Sequence, residues 1–192
     1  MTVTRRLGAV AFLLGVTAPL AGSPYNRSRG RIDITGTVRR IDNGADHVSA
    51  LQLAQWIRDR KPGLRVIDVR DPAAFADYAI PTAENLPLEQ LMRQAFAPHE
   101  TLVLYSEGGA HAGQAWVLLQ ALGGANAWFI AGGLADWYDE VMAPVLSAEA
   151  TPDQVRAFET VTELSRYFGG TPRVGEVATP LPGSSQPRRR GC

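Results

Sequence analysis

The most chemically suggestive stretch of the chain is Ser106, Glu107, Gly108, Gly109, Ala110 and His111, between an apolar run and a helix-period run. A hydroxyl and an imidazole five residues apart could act as nucleophile and base. No third group that would orient the imidazole is evident, so a contact from His111 to an anion asks less of the sequence. The two glycines permit positive φ, letting successive N–H groups converge, and the N-terminus of the next helix adds roughly half a positive charge. Ser106 then has two alternative roles, a hydrogen bond to a ligand or a cap on that helix. Glu107 would oppose an anion unless it points to solvent, which is the expectation here. Two other chemistries are excluded. No Lys-Ser/Thr pair follows the glycines as in a phosphate-binding P-loop, and Ser106 lacks the G-x-S-x-G frame of a hydrolase elbow.

Composition narrows the remaining classes. Lys plus Arg equals Asp plus Glu at 19 each in 192 residues, which gives no electrostatic case for nucleic acid. Cys192 is the only cysteine, so no intramolecular disulfide and no multi-cysteine metal site can form. His47, His99 and His111 are too dispersed for a metal motif, and no cofactor is implied. Arg188, Arg189 and Arg190 would favour a Cys192 thiolate, and offer at most weak contact with an anionic membrane. Asp68 and Arg70 are expected to support the site by orienting loops. The Asn26-Arg27-Ser28 acceptor pattern is read as chance.

The elements that must position these groups follow from periodicity. Ser49 can cap a helix SALQLAQWIRDR, stopped by Pro62-Gly63. Leu64–Val69, Thr101–Tyr105 and Ala127–Ile130 are nearly continuous apolar runs, as strands covered on both faces require. AGQAWVLLQAL after the loop reads as a helix ended by Gly123-Gly124. The loop thus falls at the carboxyl edge of a parallel sheet, where α/β folds bind ligands. Thr151 and Pro152 open a last helix whose Val155, Phe158, Val161, Leu164 and Phe168 share one face, closed by Gly169-Gly170. The Trp56, Trp116, Trp128 and Trp137 rings are expected to be core or interface mass.

Arg5 and Arg6 followed by an apolar run, Leu7 to Ala21, describe a secretory signal. As a helix those residues would reach only ~22 Å at ~1.5 Å per residue, short of a ~30 Å hydrocarbon core. The chain is therefore expected to be exported to a periplasm, and membrane-anchored if the segment is uncleaved. The organisation is residues 1–23 signal peptide or N-terminal anchor, 24–46 linker, 47–144 α/β domain, 145–170 C-terminal helical extension and 171–192 flexible basic tail ending in Cys192.

Three separated motifs then agree in order and spacing. VIDVRDPAAFADYAIPTAENLPLEQL, LVLYSEGGAHAGQAWVLLQALGG and AWFIAGGLADW resemble the rhodanese-like domain of the sulfurtransferase superfamily. The resemblance implies a three-layer α/β sandwich with a central, mostly parallel sheet and an active-site loop at residues 106–111. In the catalytic family the loop opens with a cysteine that carries sulfane sulfur, and its sixth residue is usually arginine. Ser106 and His111 stand there instead, while Ala79 and Thr82 replace a histidine and a glycine of the segment after the first strand motif. A serine hydroxyl cannot form and release an S–S bond, so standard thiosulfate sulfurtransferase activity is not expected at this loop. Cysteine-dependent phosphatase chemistry is excluded with it. The expected role is binding of a small anion or sulfane-sulfur compound in a sulfur-transfer or redox setting, with Cys192 as a candidate mobile sulfur carrier. The alternative is a noncatalytic module that docks a protein partner on the loop surface.

Overall fold

The apolar runs pair as a five-stranded sheet in the computed structural model, which describes residues 33–122 and 125–175. Its strands are β1 (His47–Val48), β2 (Leu64–Asp68), β3 (Ala83–Asn85), β4 (Thr101–Tyr105) and β5 (Ala127–Ile130), in the order β1-β5-β4-β2-β3. Every pairing is parallel. Each residue of central β4 is buried, and successive side chains leave it on opposite faces. Val103 and Tyr105 join one cluster with Leu53, Trp137 and Leu164. Leu102 and Leu104 join the other with Ala112, Trp116 and Leu119. Two cores separated by one sheet make the three layers expected from the sequence.

The helices are α1 (Ile34–Asp42), α2 (Ala50–Arg58), α3 (Pro72–Asp77), α4 (Leu88–Leu91), α5 (Ala110–Ala121), α6 (Gly133–Trp137) and α7 (Pro152–Tyr167). Helix α6 continues into a π-helical turn, Tyr138–Met142. Local side chains set the starts. The Ser49 hydroxyl accepts from Gln52 N–H, the Asp71 carboxylate accepts from Ala73 and Ala74, and Thr151 with Gln154 forms a capping box.

Several boundaries differ from the sequence reading. The stretch 24–46 is not wholly a linker, because α1 occupies residues 34–42. None of its side chains is buried, and apolar periodicity did not mark it. It is held instead by Arg40, whose guanidinium donates to the Ala127 carbonyl at 2.8 Å and lies over Trp116 and Trp128. The tail does not begin at Thr171, because Arg173–Val174 forms strand β7 beside β6 (Val145–Leu146). Thr171 N–H also donates to Met142 and Gly175 N–H to Leu146. Backbone pairing orders this stretch although it has little apolar mass of its own. Helix α7 buries Leu164 and Ser165 but leaves Val155 42% exposed, so only its C-terminal half is packed as the periodicity predicted. Trp116 and Trp137 are core residues, and Trp56 and Trp128 are half-buried and in edge-on contact. Leu7–Ala21, Gly123-Gly124, Arg188–Arg190 and Cys192 lie outside the described residues.

Candidate functional site

The strand order creates the site. From β2 the chain leaves toward edge strand β3, whereas from adjacent β4 it leaves toward β5 on the other side. Connections that diverge from neighbouring parallel strands open a crevice at their carboxyl ends, the usual ligand position in such sheets. Here the crevice is a cleft of about 500 Å3, lined from the β2 side by Val69, Arg70, Asp71 and Ala74 and from the β4 side by Glu107, His111 and Gln114. Leu88 of α4 adds an exposed apolar side chain to the wall.

The loop after β4 is held from below by the AGGLADW segment. Leu134 N–H donates to the Ser106 carbonyl at 2.8 Å and Ala135 N–H to that of Glu107 at 3.2 Å. The approach is so close that a Cβ on Gly109 would overlap the Ala131 carbonyl, and one on Gly133 would overlap the Ser106 carbonyl. Both residues have positive φ, 84° and 62°. Glycine is thus required at both places, for space and for conformation.

Ser106 is 1% exposed, and its Oγ accepts from Ala112 N–H at 3.3 Å. It satisfies one first-turn N–H of α5, whose N-cap residue is Gly109, and forms the floor of the loop. No hydrogen bond joins it to His111, which gives the Ser–His dyad no support. Helix α5 begins at Ala110, two residues earlier than the sequence reading, so Ala110 and His111 belong to its first turn. Exposed His111 and Gln114 lie one turn apart on the wall of the cleft. The backbone N–H groups of Glu107, Gly108, Gly109, Ala110 and His111 donate to no acceptor among the described residues. Five consecutive donors without protein partners stand at a helix N-terminus, an arrangement able to donate hydrogen bonds to an anion.

Arg70 is anchored opposite. Its Nε and Nη2 bind the fully buried Asp68 carboxylate, with a 2.7 Å Nη2 to Oδ2 contact, and Nη2 also donates to the Tyr78 carbonyl at 2.6 Å. Hydrogen bonding to Asp68 raises its pKa, so the guanidinium stays charged. Its Nη1 donates to Glu107 Oε2 at 3.0 Å. The Glu107 side chain is 77% exposed, so it reaches solvent as expected, but it does so as the outer partner of Arg70. Tyr105 completes the base, its hydroxyl accepting from Ile80 N–H at 3.2 Å. Burial, with Asp68 adding to it, pushes that hydroxyl's pKa far up and keeps it neutral. Asp71 is a cleft residue the sequence reading missed. Its carboxyl pKa is lowered, first by the Ala74 amide. The Asp-Pro start of α3 signalled the cap, but nothing local signalled that the cap would face the loop.

No group of three or more His, Cys, Asp or Glu among the described residues is arranged to hold a metal ion. Among those residues no helix is long and apolar enough to cross a membrane.

A family model for the rhodanese-like domain matches residues 49–140. Among solved structures, a rhodanese-related protein from Thermoplasma volcanium is similar at 23% identity, over 47% of this chain and 88% of that one, with a TM-score of 0.41. A rhodanese-like domain protein from Staphylococcus aureus is similar at 25% identity, over 50% and 93% of the two chains, with a TM-score of 0.45. The rhodanese-like domain of an Anabaena protein is similar at 23% identity, over 48% and 72%, with a TM-score of 0.42. No curated protein matches. The chain therefore carries a rhodanese-like domain over residues 49–140.

Proposed function

We propose that the Ser106–His111 loop binds a small anion or a sulfur-bearing group in a sulfur-transfer or redox setting, without itself carrying sulfur as a persulfide. The observation that supports this most is the run of five unpartnered N–H groups, Glu107 to His111, above a buried serine. A hydroxyl at Ser106 can cap the helix and accept hydrogen bonds. It cannot exchange an S–S bond. Asp68 and Arg70 support the site by fixing the facing wall, and Cys192, the chain's one thiol, is the group able to retain sulfur. Arg5, Arg6 and the apolar run after them support export, which would place the domain in an oxidising compartment.

Intact-mass measurement after exposure to thiosulfate tests this reading. The Cys192→Ser protein should gain no sulfur, and Ser106→Cys in that background should gain one. In the latter the loop thiolate, favoured by the N–H groups and helix N-terminus, attacks the outer sulfur of thiosulfate. An S–S bond forms and sulfite leaves with the electron pair. Sulfur retained by Cys192→Ser with Ser106 in place would overturn the proposal. Docking of a protein partner is the second reading, favoured by the exposed Leu88 on the cleft wall. Thermal unfolding separates the two, because an anion bound only to the folded state adds about 2.7 kcal/mol at 100 times its Kd. A docking surface shows no response to sulfate, sulfite or thiosulfate.

A further inference from the structure

The carboxylates around the cleft bear on which anions it can take. Asp68, Asp71 and Glu107 set three formal negative charges against the single positive charge of Arg70. Two of the three are committed elsewhere: Asp68 holds Arg70 from the buried side, and Asp71 accepts from Ala73 and Ala74 at 3.0 Å each. Glu107 is different. It reaches the guanidinium only through Nη1, from a side chain 77% exposed, and it belongs to the loop whose N–H groups would receive the ligand. An exposed pair of this kind contributes little to stability and moves at little cost.

From this geometry we infer that Glu107 sets the charge selectivity of the cleft, favouring singly charged anions over doubly charged ones. The inference rests on the anion reading of the loop and names its ligand class. Coulomb energy scales with ligand charge, so at any given distance the Glu107 carboxylate opposes a dianion twice as strongly as a monoanion. Release of Arg70 Nη1 and removal of the Glu107 charge both act in proportion to ligand charge, so loss of the carboxylate helps the dianion more. The effect should fade as salt screens an exposed charge.

The test is calorimetric titration of the full chain with thiocyanate and with thiosulfate at matched low ionic strength, for wild type, Glu107→Gln and Glu107→Asp. Wild type should bind thiocyanate more tightly than thiosulfate. Glu107→Gln should raise thiosulfate affinity about threefold more than thiocyanate affinity, as expected for one exposed charge. Glu107→Asp, which keeps the charge, should keep the wild-type ratio. Tighter binding of thiosulfate by wild type, or equal gains for both ligands in Glu107→Gln, would overturn the selectivity while leaving anion binding intact. Absence of binding by either ligand to all three proteins would overturn the anion reading and this inference with it.

Discussion

Strand β2 has an arginine near each end, and the two are built differently. At the amino end Arg65 is enclosed, its Nε and Nη2 bound to Glu84 at 2.6 and 2.8 Å and its Nη1 to Glu100 at 3.1 Å, under the Phe96 ring. Glu100 is itself fixed, accepting from Ala97 N–H at 2.5 Å. At the carboxyl end Arg70 has a fully buried partner in Asp68 and one loose partner, Glu107, which extends into solvent at the cleft. The first network is closed and holds strands and loops together. The second is closed on its buried side and open on the side where the crevice lies, so a similar ion pair ties strands and loops together at one end and lines the crevice at the other.

The largest effect should come from breaking the closed half of the Arg70 network. Asp68→Ala strands a guanidinium whose side chain is only 10% exposed, and should cost roughly 3–5 kcal/mol in denaturant unfolding. Next comes Gly133→Ala, which forces a Cβ into the Ser106 carbonyl at a φ of 62° and should cost about 2–3 kcal/mol. Arg65→Ala removes hydrogen bonds to two carboxylates and should cost about 1.5–3 kcal/mol.

The Arg65 variant also has a pH signature. The Glu100 carboxyl lies below its ordinary value of 4.5, held there first by the Ala97 amide and then by Arg65. A lowered carboxyl pKa contributes stability above the unfolded value, and that stability is lost as pH falls through the folded value. Unfolding curves taken below pH 4.5 should therefore decline less steeply in Arg65→Ala than in wild type.

Smaller effects sharpen the contrast. Thr82, just before β3 at the Arg65 end, has a φ of 67°, a conformation that suits glycine and penalises a β-branched residue. Thr82→Gly should raise stability by about 1 kcal/mol, read from the denaturant midpoint. Glu107→Gln should change stability by less than about 0.5 kcal/mol, because its pair with Arg70 is exposed. A large loss there would mean that the outer partner of Arg70 is as structural as those of Arg65.

Thr82 also shows how far a resemblance can be read. At the position where the related domains carry glycine, this chain has a β-branched residue. The backbone nevertheless keeps positive φ, so the turn survived the change of residue. Glu107 is the converse case. Its unfavourable sign for an anion loop was legible in the sequence, but its attachment to Arg70, 37 positions earlier, was not.

The amino-acid sequence by itself determined the strands β2, β4 and β5, the caps at Ser49 and Thr151, and the glycine-bearing loop at the end of β4. These depend on local matters: continuous apolar runs that need cover on both faces, side-chain oxygens within reach of free N–H groups, and residues able to take positive φ. Only the tertiary structure decided which wall faces that loop. Pairing of β2 with β4 sets Arg70 and Asp71 opposite Glu107 and His111, and close approach of Gly133 holds the loop from beneath. It likewise decided that Arg40 would fasten α1 to two tryptophans and that Arg173–Val174 would pair with Val145–Leu146. Such contacts join residues far apart in the chain, and their energies depend on burial and strand order, which no local pattern of residue types contains.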